Sequence, residues 1–127
     1  MDATPILVVE DDELMRRVLQ SALEKAGHRV VTAADGGEAQ AALARGEFAL
    51  MITDLIMPGK DGIEMIEELR KTRPGLPILA ISGGGRMPRD GYLKVARLLG
   101  AHAVLGKPFS NDQLLTVVSG LLSAGKS

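Results

Sequence analysis

Five short apolar runs, separated by longer amphipathic stretches, constrain the fold of this chain more than any other feature. The runs are Ile6–Val9 (ILVV), Val30–Ala33 (VVTA), Phe48–Thr53 (FALMIT), Pro77–Ile81 (PILAI) and Ala103–Leu105 (AVL). The first, third and fourth are continuous rather than alternating, the pattern of strands buried on both faces of a parallel sheet. One such run alone could be a piece of buried helix. Five of them at helix-length spacing predict strands.

The stretches between them read as helices. Leu14, Met15, Val18, Leu19, Ala22 and Leu23 recur at three-to-four spacing, and Gly27 stands where a helix stops. Ala39, Ala42 and Leu43 mark a second helix, with Gly36 and Gly37 before it and Gly46 after it. Ile63, Ile66, Leu69 and Arg70 mark a third, closed by Pro74-Gly75. Leu93, Ala96, Leu99 and Gly100 mark a fourth. The fifth opens on a capping-box pattern, Ser110-Asn111-Asp112-Gln113, and continues through Leu114, Leu115, Val118, Leu121 and Leu122. Strand and helix alternating five times predict an α/β fold, a parallel sheet covered on both faces. In such sheets ligands bind beyond the carboxyl ends of the strands, where strand order reverses.

Composition removes several function classes. The length of 127 residues fits one domain. Its core is expected over residues 5–122, with no output domain attached. Cysteine is absent, which excludes a disulfide framework, a thiol nucleophile and a thiolate metal site. Fifteen basic against 16 acidic residues leave a net charge of −1, so no global field draws the chain to nucleic acid or membrane. Phe48, Tyr92 and Phe109 are too few for a base-stacking platform. No apolar run approaches the ~20 residues that span a bilayer, and MDATP has no signal-peptide character. The expectation is a cytoplasmic monomer or weak dimer without nucleic-acid or membrane partners.

The carboxyl ends of the predicted strands carry the chemistry. The first ends in Glu10-Asp11-Asp12, the third in Asp54, the fourth in Ser82 and the fifth in Gly106-Lys107-Pro108. Acids brought together from different strands either raise a pKa or recruit a cation. With hard oxygen ligands the natural cation is Mg²⁺, which keeps waters that phosphate oxygens can replace. Lys107 adds a compact positive charge and Ser82 a hydroxyl donor. These are the parts that stabilise a phosphoryl group in transfer, and a carboxylate such as Asp54 can be the nucleophile that ends as an acyl phosphate. Asp12 fits equally well as a helix N-cap.

The strings VVEDD, TDLIMPGKDG, AISG and GKPF, in this order and spacing from about Pro5 to Leu122, resemble the receiver domain of two-component response regulators. The resemblance implies a flavodoxin-like (βα)5 three-layer sandwich with strand order 2-1-3-4-5. It implies Asp54 as phospho-acceptor, with Lys107 and Ser82 assisting. It implies Mg²⁺ held by Asp11, Asp54 and the backbone carbonyl of Ile56, with Glu10 acting through water. Ser82, Gly83 and Val104 would form the switch, and Lys107–Pro108 is a candidate cis peptide. The implied donor is a sensor histidine kinase or histidine phosphotransfer protein, followed by a downstream protein target. The chain would act as a phosphorylation-driven switch rather than a classical enzyme. The alternatives are a phosphate-independent interaction module and a phosphohydrolase. The phosphohydrolase lacks a second acid two residues past Asp54, where Ile56 stands.

Three departures from the family pattern carry expectations. Val104 stands where the family usually has Tyr or Phe, and valine, stiff at χ1 and without a polar tip, cannot report by the same swing. Gly83-Gly84-Gly85 follow Ser82, a loop easily remodelled, so the signal is expected to pass through it. Ile56 and Gly84 cannot orient a hydrolytic water, which predicts slow self-dephosphorylation. Arg86, Arg89, Lys94 and Arg97 against Asp90 form a local basic stretch, read as a solvated face or as a dock for an acidic partner. The string Gly120–Ser127 matches a phosphate-loop pattern but lacks the preceding strand and following helix that its mechanism needs.

Overall fold

The computed structural model describes residues 4–55, 62–82, 91, 94, 98 and 100–124. Five strands form one parallel sheet: β1 (Ile6–Val9), β2 (Val30–Ala33), β3 (Leu50–Asp54), β4 (Ile78–Ser82) and β5 (Ala103–Gly106). Their order is β2-β1-β3-β4-β5, as the resemblance implied. Order reverses between β1 and β3, so the crevice for a ligand lies above those two strands. The helices are α1 (Glu13–Lys25), α2 (Gly36–Arg45), α3 (Gly62–Thr72) and α4 (Asn111–Ala124). Of the helix expected around Leu93–Leu99, Gly91, Lys94 and Leu98 are helical, and the remaining positions lie outside the described residues. Among the described residues no helix is long and apolar enough to cross a membrane.

The continuous apolar strands divide their side chains between two cores, because successive residues of a strand face opposite ways. Leu7, Val9, Met51, Ile78 and Ala80 pack with Ala39 and Leu43 of α2 and Met65, Ile66 and Leu69 of α3. Ile6, Val8, Leu50, Ile52, Leu79 and Ile81 pack with Leu19, Ala22 and Leu23 of α1 and Leu114 and Val118 of α4. Both faces are therefore sealed, and a slip of one residue in any central strand would exchange its two sets of side chains.

Local signals explain the boundaries. Asp12 caps α1, accepting the Met15 N–H at 3.0 Å. The helix ends at Lys25, and Gly27 two residues on turns the chain away with a φ of +96° that suits glycine. Asp35 caps α2 through the Glu38 N–H at 2.8 Å, so Gly36 and Gly37 form its first turn rather than preceding it. The Ser110–Gln113 capping box forms reciprocally, at 2.9 and 3.1 Å. β3 and β4 each begin later than the apolar runs suggest. Pro77 has no N–H for the ladder, and β4 starts after it. The polar residues Asp54 and Ser82 are the last members of their strands, as expected. Gly120 lies inside α4, and Gly125–Ser127 lie outside the described residues.

Candidate functional site

Strand register brings the acids together. Val9 of β1 pairs with Thr53 of β3, so the next positions, Glu10 and Asp54, emerge side by side at the switch point. Asp54 pairs with Ile81, and Ser82 pairs with Gly106, one residue before Lys107. Four of the predicted site residues thus reach one edge from four strands. Glu10, Asp54 and Ser82 are buried, with 1%, 6% and 0% of their surface exposed, while Asp11 is exposed.

Lys107 closes the site. Its Nζ donates to Asp54 Oδ2 at 2.7 Å and to Glu10 Oε1 at 2.9 Å. Glu10 Oε2 accepts the Asp12 N–H at 3.2 Å. Burial pushes the Glu10 carboxyl up to about 7; the Lys107 hydrogen bond pulls down against it, and the Asp54 charge adds to the rise. Burial alone would lower the Lys107 pKa, but its hydrogen bonds to Asp54 and Glu10 override this and hold it above the ordinary ammonium value. The Lys107–Pro108 peptide is cis, as the resemblance implied.

Two features test the fit of a cation and an anion. Carboxylate oxygens of Glu10, Asp11 and Asp54 lie within 4.8 Å of one another. That donor set is oxygen only, which suits a hard ion of the Mg²⁺ type and not a soft one. Ser82 Oγ is the one buried side-chain polar atom without a hydrogen-bond partner among the described residues. An orphaned buried hydroxyl is costly, and an oxygen-rich ligand above the strand ends would satisfy it.

Of the other predicted positions, Val104 is half-buried and packs against the core on the α2/α3 face. Ile56, Gly83, Gly84, Gly85, Arg86, Arg89, Asp90 and Arg97 lie outside the described residues. Asp12 takes the capping role. Sequence reasoning passed over Arg16, whose Nη1 donates to Glu10 O at 2.8 Å. Its only signal was an arginine four residues beyond an N-cap, a position usually solvated.

The comparisons agree with this geometry. The family model of the response regulator receiver domain matches residues 6–119. The response regulator receiver protein CpdR of Brucella abortus is 35% identical over 127 aligned residues, covering 94% of this chain and 97% of that protein. The transcriptional regulatory protein YkoG of Bacillus subtilis is 35% identical over 123 residues, covering 96% of this chain and 52% of YkoG. The DNA-binding transcriptional regulator NtrC of Azospirillum brasilense is 36% identical, covering 98% of this chain and 25% of NtrC. The chain therefore spans about half the length or less of these two regulators. Among solved structures, NtrX from Brucella abortus superposes with a TM-score of 0.90 at 32% identity, over 98% of this chain and 28% of NtrX. A CheY-like receiver domain protein from Methanospirillum hungatei gives 0.89 at 27%, over 98% of both chains. Strand order, the acidic cluster beside a lysine, and these matches lead to one conclusion: the chain belongs to the response regulator receiver domain family of two-component signal transduction.

Proposed function

We propose that Asp54 is the phospho-acceptor of this receiver, taking its phosphoryl group from a phosphohistidine on a sensor kinase or phosphotransfer protein. The carrying observation is the placement of the Asp54 carboxylate, buried at the β3 end and held 2.7 Å from the Lys107 ammonium. One Asp54 oxygen attacks phosphorus, the P–N bond to histidine breaks, and the imidazole leaves with the electron pair. Lys107 offsets the negative charge that gathers on the phosphoryl oxygens. The Ser82 hydroxyl, without a partner among the described residues, donates to one of them.

Glu10, Asp11 and Asp54 would hold Mg²⁺, with Glu10 acting through water because both its oxygens already carry hydrogen bonds. When bound, Mg²⁺ supplies the Lewis acid that neutralises charge on the transferring group. The chain is then an acceptor acting on itself, not an enzyme turning over free substrate. Its phosphorylated form binds a downstream protein differently from its resting form. Intact-mass analysis with a small phosphoryl donor tests this reading. A single Mg²⁺-dependent adduct is expected on the native chain and none on Asp54→Asn. A native chain that takes no adduct would instead be an interaction module working by contacts alone.

A further inference from the structure

We propose that Arg16 is a positioning residue for the divalent cation, acting through the main chain that carries Glu10 and Asp11. This rests on reading the acidic cluster as a Mg²⁺ site. Arg16 stands in the first turns of α1, where its N–H bonds Asp12 O at 2.9 Å. Its guanidinium turns back past the cap: Nη1 donates to Glu10 O at 2.8 Å and lies 3.5 Å from Asp11 O. The sheet ladder leaves β1 at the Glu10 N–H, which donates to Ala33 O at 3.0 Å. Between that rung and the Asp12 cap, two peptide units decide where two carboxylates point, and the guanidinium grips them.

Glu10 is tied three ways, by Arg16 at its carbonyl, Lys107 at Oε1 and the Asp12 N–H at Oε2. Asp11 is exposed, so its aim is inherited from the main chain on either side. Residues that orient ligands without touching the ion typically change affinity 10- to 100-fold. Lysine could supply charge here but not a planar nitrogen held at the end of a rigid guanidinium, from which one Nη1 reaches both carbonyls.

The charge of Arg16 and its positioning role predict opposite results. A guanidinium behind a cation site repels the cation, so by Coulomb's law alone its removal tightens Mg²⁺ binding. If Arg16 aims the ligands, its removal weakens binding. Mg²⁺ titration by calorimetry, on folded protein well below each variant's melting temperature, separates the two. Arg16→Ala is expected to raise the Mg²⁺ dissociation constant about tenfold, and Arg16→Lys to recover part of the loss. The Mg²⁺ concentration giving half-maximal phosphorylation should rise by the same factor, with the rate at saturating Mg²⁺ unchanged. Should Arg16→Ala not fold, Arg16→Gln keeps a donor without the charge and should bind between Arg16→Ala's expected value and native. A dissociation constant equal to or below native in either neutral variant overturns the proposal. Asp11→Asn is the control: if it binds Mg²⁺ as native does, or native binds none, the cation-site reading itself fails.

Discussion

The two edges of the sheet are built from the same five strands and treat their polar groups in opposite ways. At the amino edge, among the described residues, backbone and side-chain groups find partners. The Ile6 N–H donates to Arg29 O and the Ala49 N–H to Pro5 O, both at 2.9 Å. His102 is bound twice to Ile78: its N–H donates to Ile78 O at 2.8 Å, and its Nδ1 accepts the Ile78 N–H at 3.1 Å. Arg73 of the segment after α3 donates to Leu43 O at the end of α2. At the carboxyl edge, Glu10 and Asp54 are set side by side, one ammonium bonds both, and Ser82 Oγ has no partner among the described residues. The amino edge closes the fold; the carboxyl edge keeps one buried hydroxyl unsatisfied among the described residues. A buried hydroxyl without a partner costs stability, so its place beside the acidic pair supports the proposed site at this edge.

The largest effect should come from Lys107→Met. It removes the counter-charge from two buried carboxylates, so adduct formation on Asp54 should slow at least about a hundredfold. Metal-free stability at pH 8 should fall by about 2 kcal/mol. Adduct formation within a few-fold of native would break the contrast between the edges.

The pH dependence of metal-free stability sharpens it further. The Glu10 carboxyl is raised from its ordinary 4.5 to about 7, so its protonated form is favoured by folding. That contribution is fully present below 4.5 and is lost as pH rises through about 7. Unfolding free energies from urea titration should decline over this window by on the order of 3 kcal/mol, and Glu10→Gln should flatten the decline.

The amino edge should slope the other way, and less. Burial, with the Arg70 charge, lowers the His102 pKa below 6.5, and Nδ1 must stay unprotonated to accept the Ile78 N–H. This contribution is fully present above 6.5 and is lost as pH falls through the lower folded value. The loss should be about 1 kcal/mol, the worth of one hydrogen bond. His102→Asn, which keeps an acceptor but does not titrate, should remove it. If both edges slope in the same direction, the comparison fails.

Most of this architecture was legible because hydrophobic period and helix punctuation are local signals. The first two strands match their apolar runs, and the Ser110–Gln113 capping box forms as read. The starts of β3 and β4 were harder, because the apolar runs begin at Phe48 and Pro77, ahead of the ladder residues Leu50 and Ile78. Period alone gave no strand order; it came through the family strings. Glu10, Asp11, Asp54, Ser82 and Lys107 could be found because strand ends converge in this class of sheet. Arg16 could not, since what it does depends on a side chain folding back over a turn. The bond between His102 and Ile78 becomes visible only once β4 and β5 are aligned.

Lys107 reaches Asp54 across 53 positions of chain and Glu10 across 97. The ammonium that makes the acids compatible is therefore among the last parts of the domain to leave the ribosome. A nascent chain that has exposed β1 through β4 holds the carboxylates and the hydroxyl but not their counter-charge. Under the proposed function, competence to accept a phosphoryl group then arrives only when β5 docks on β4. Contacts this distant in sequence form late and slowly in folding, so the site doubles as a check that the whole sheet has been assembled.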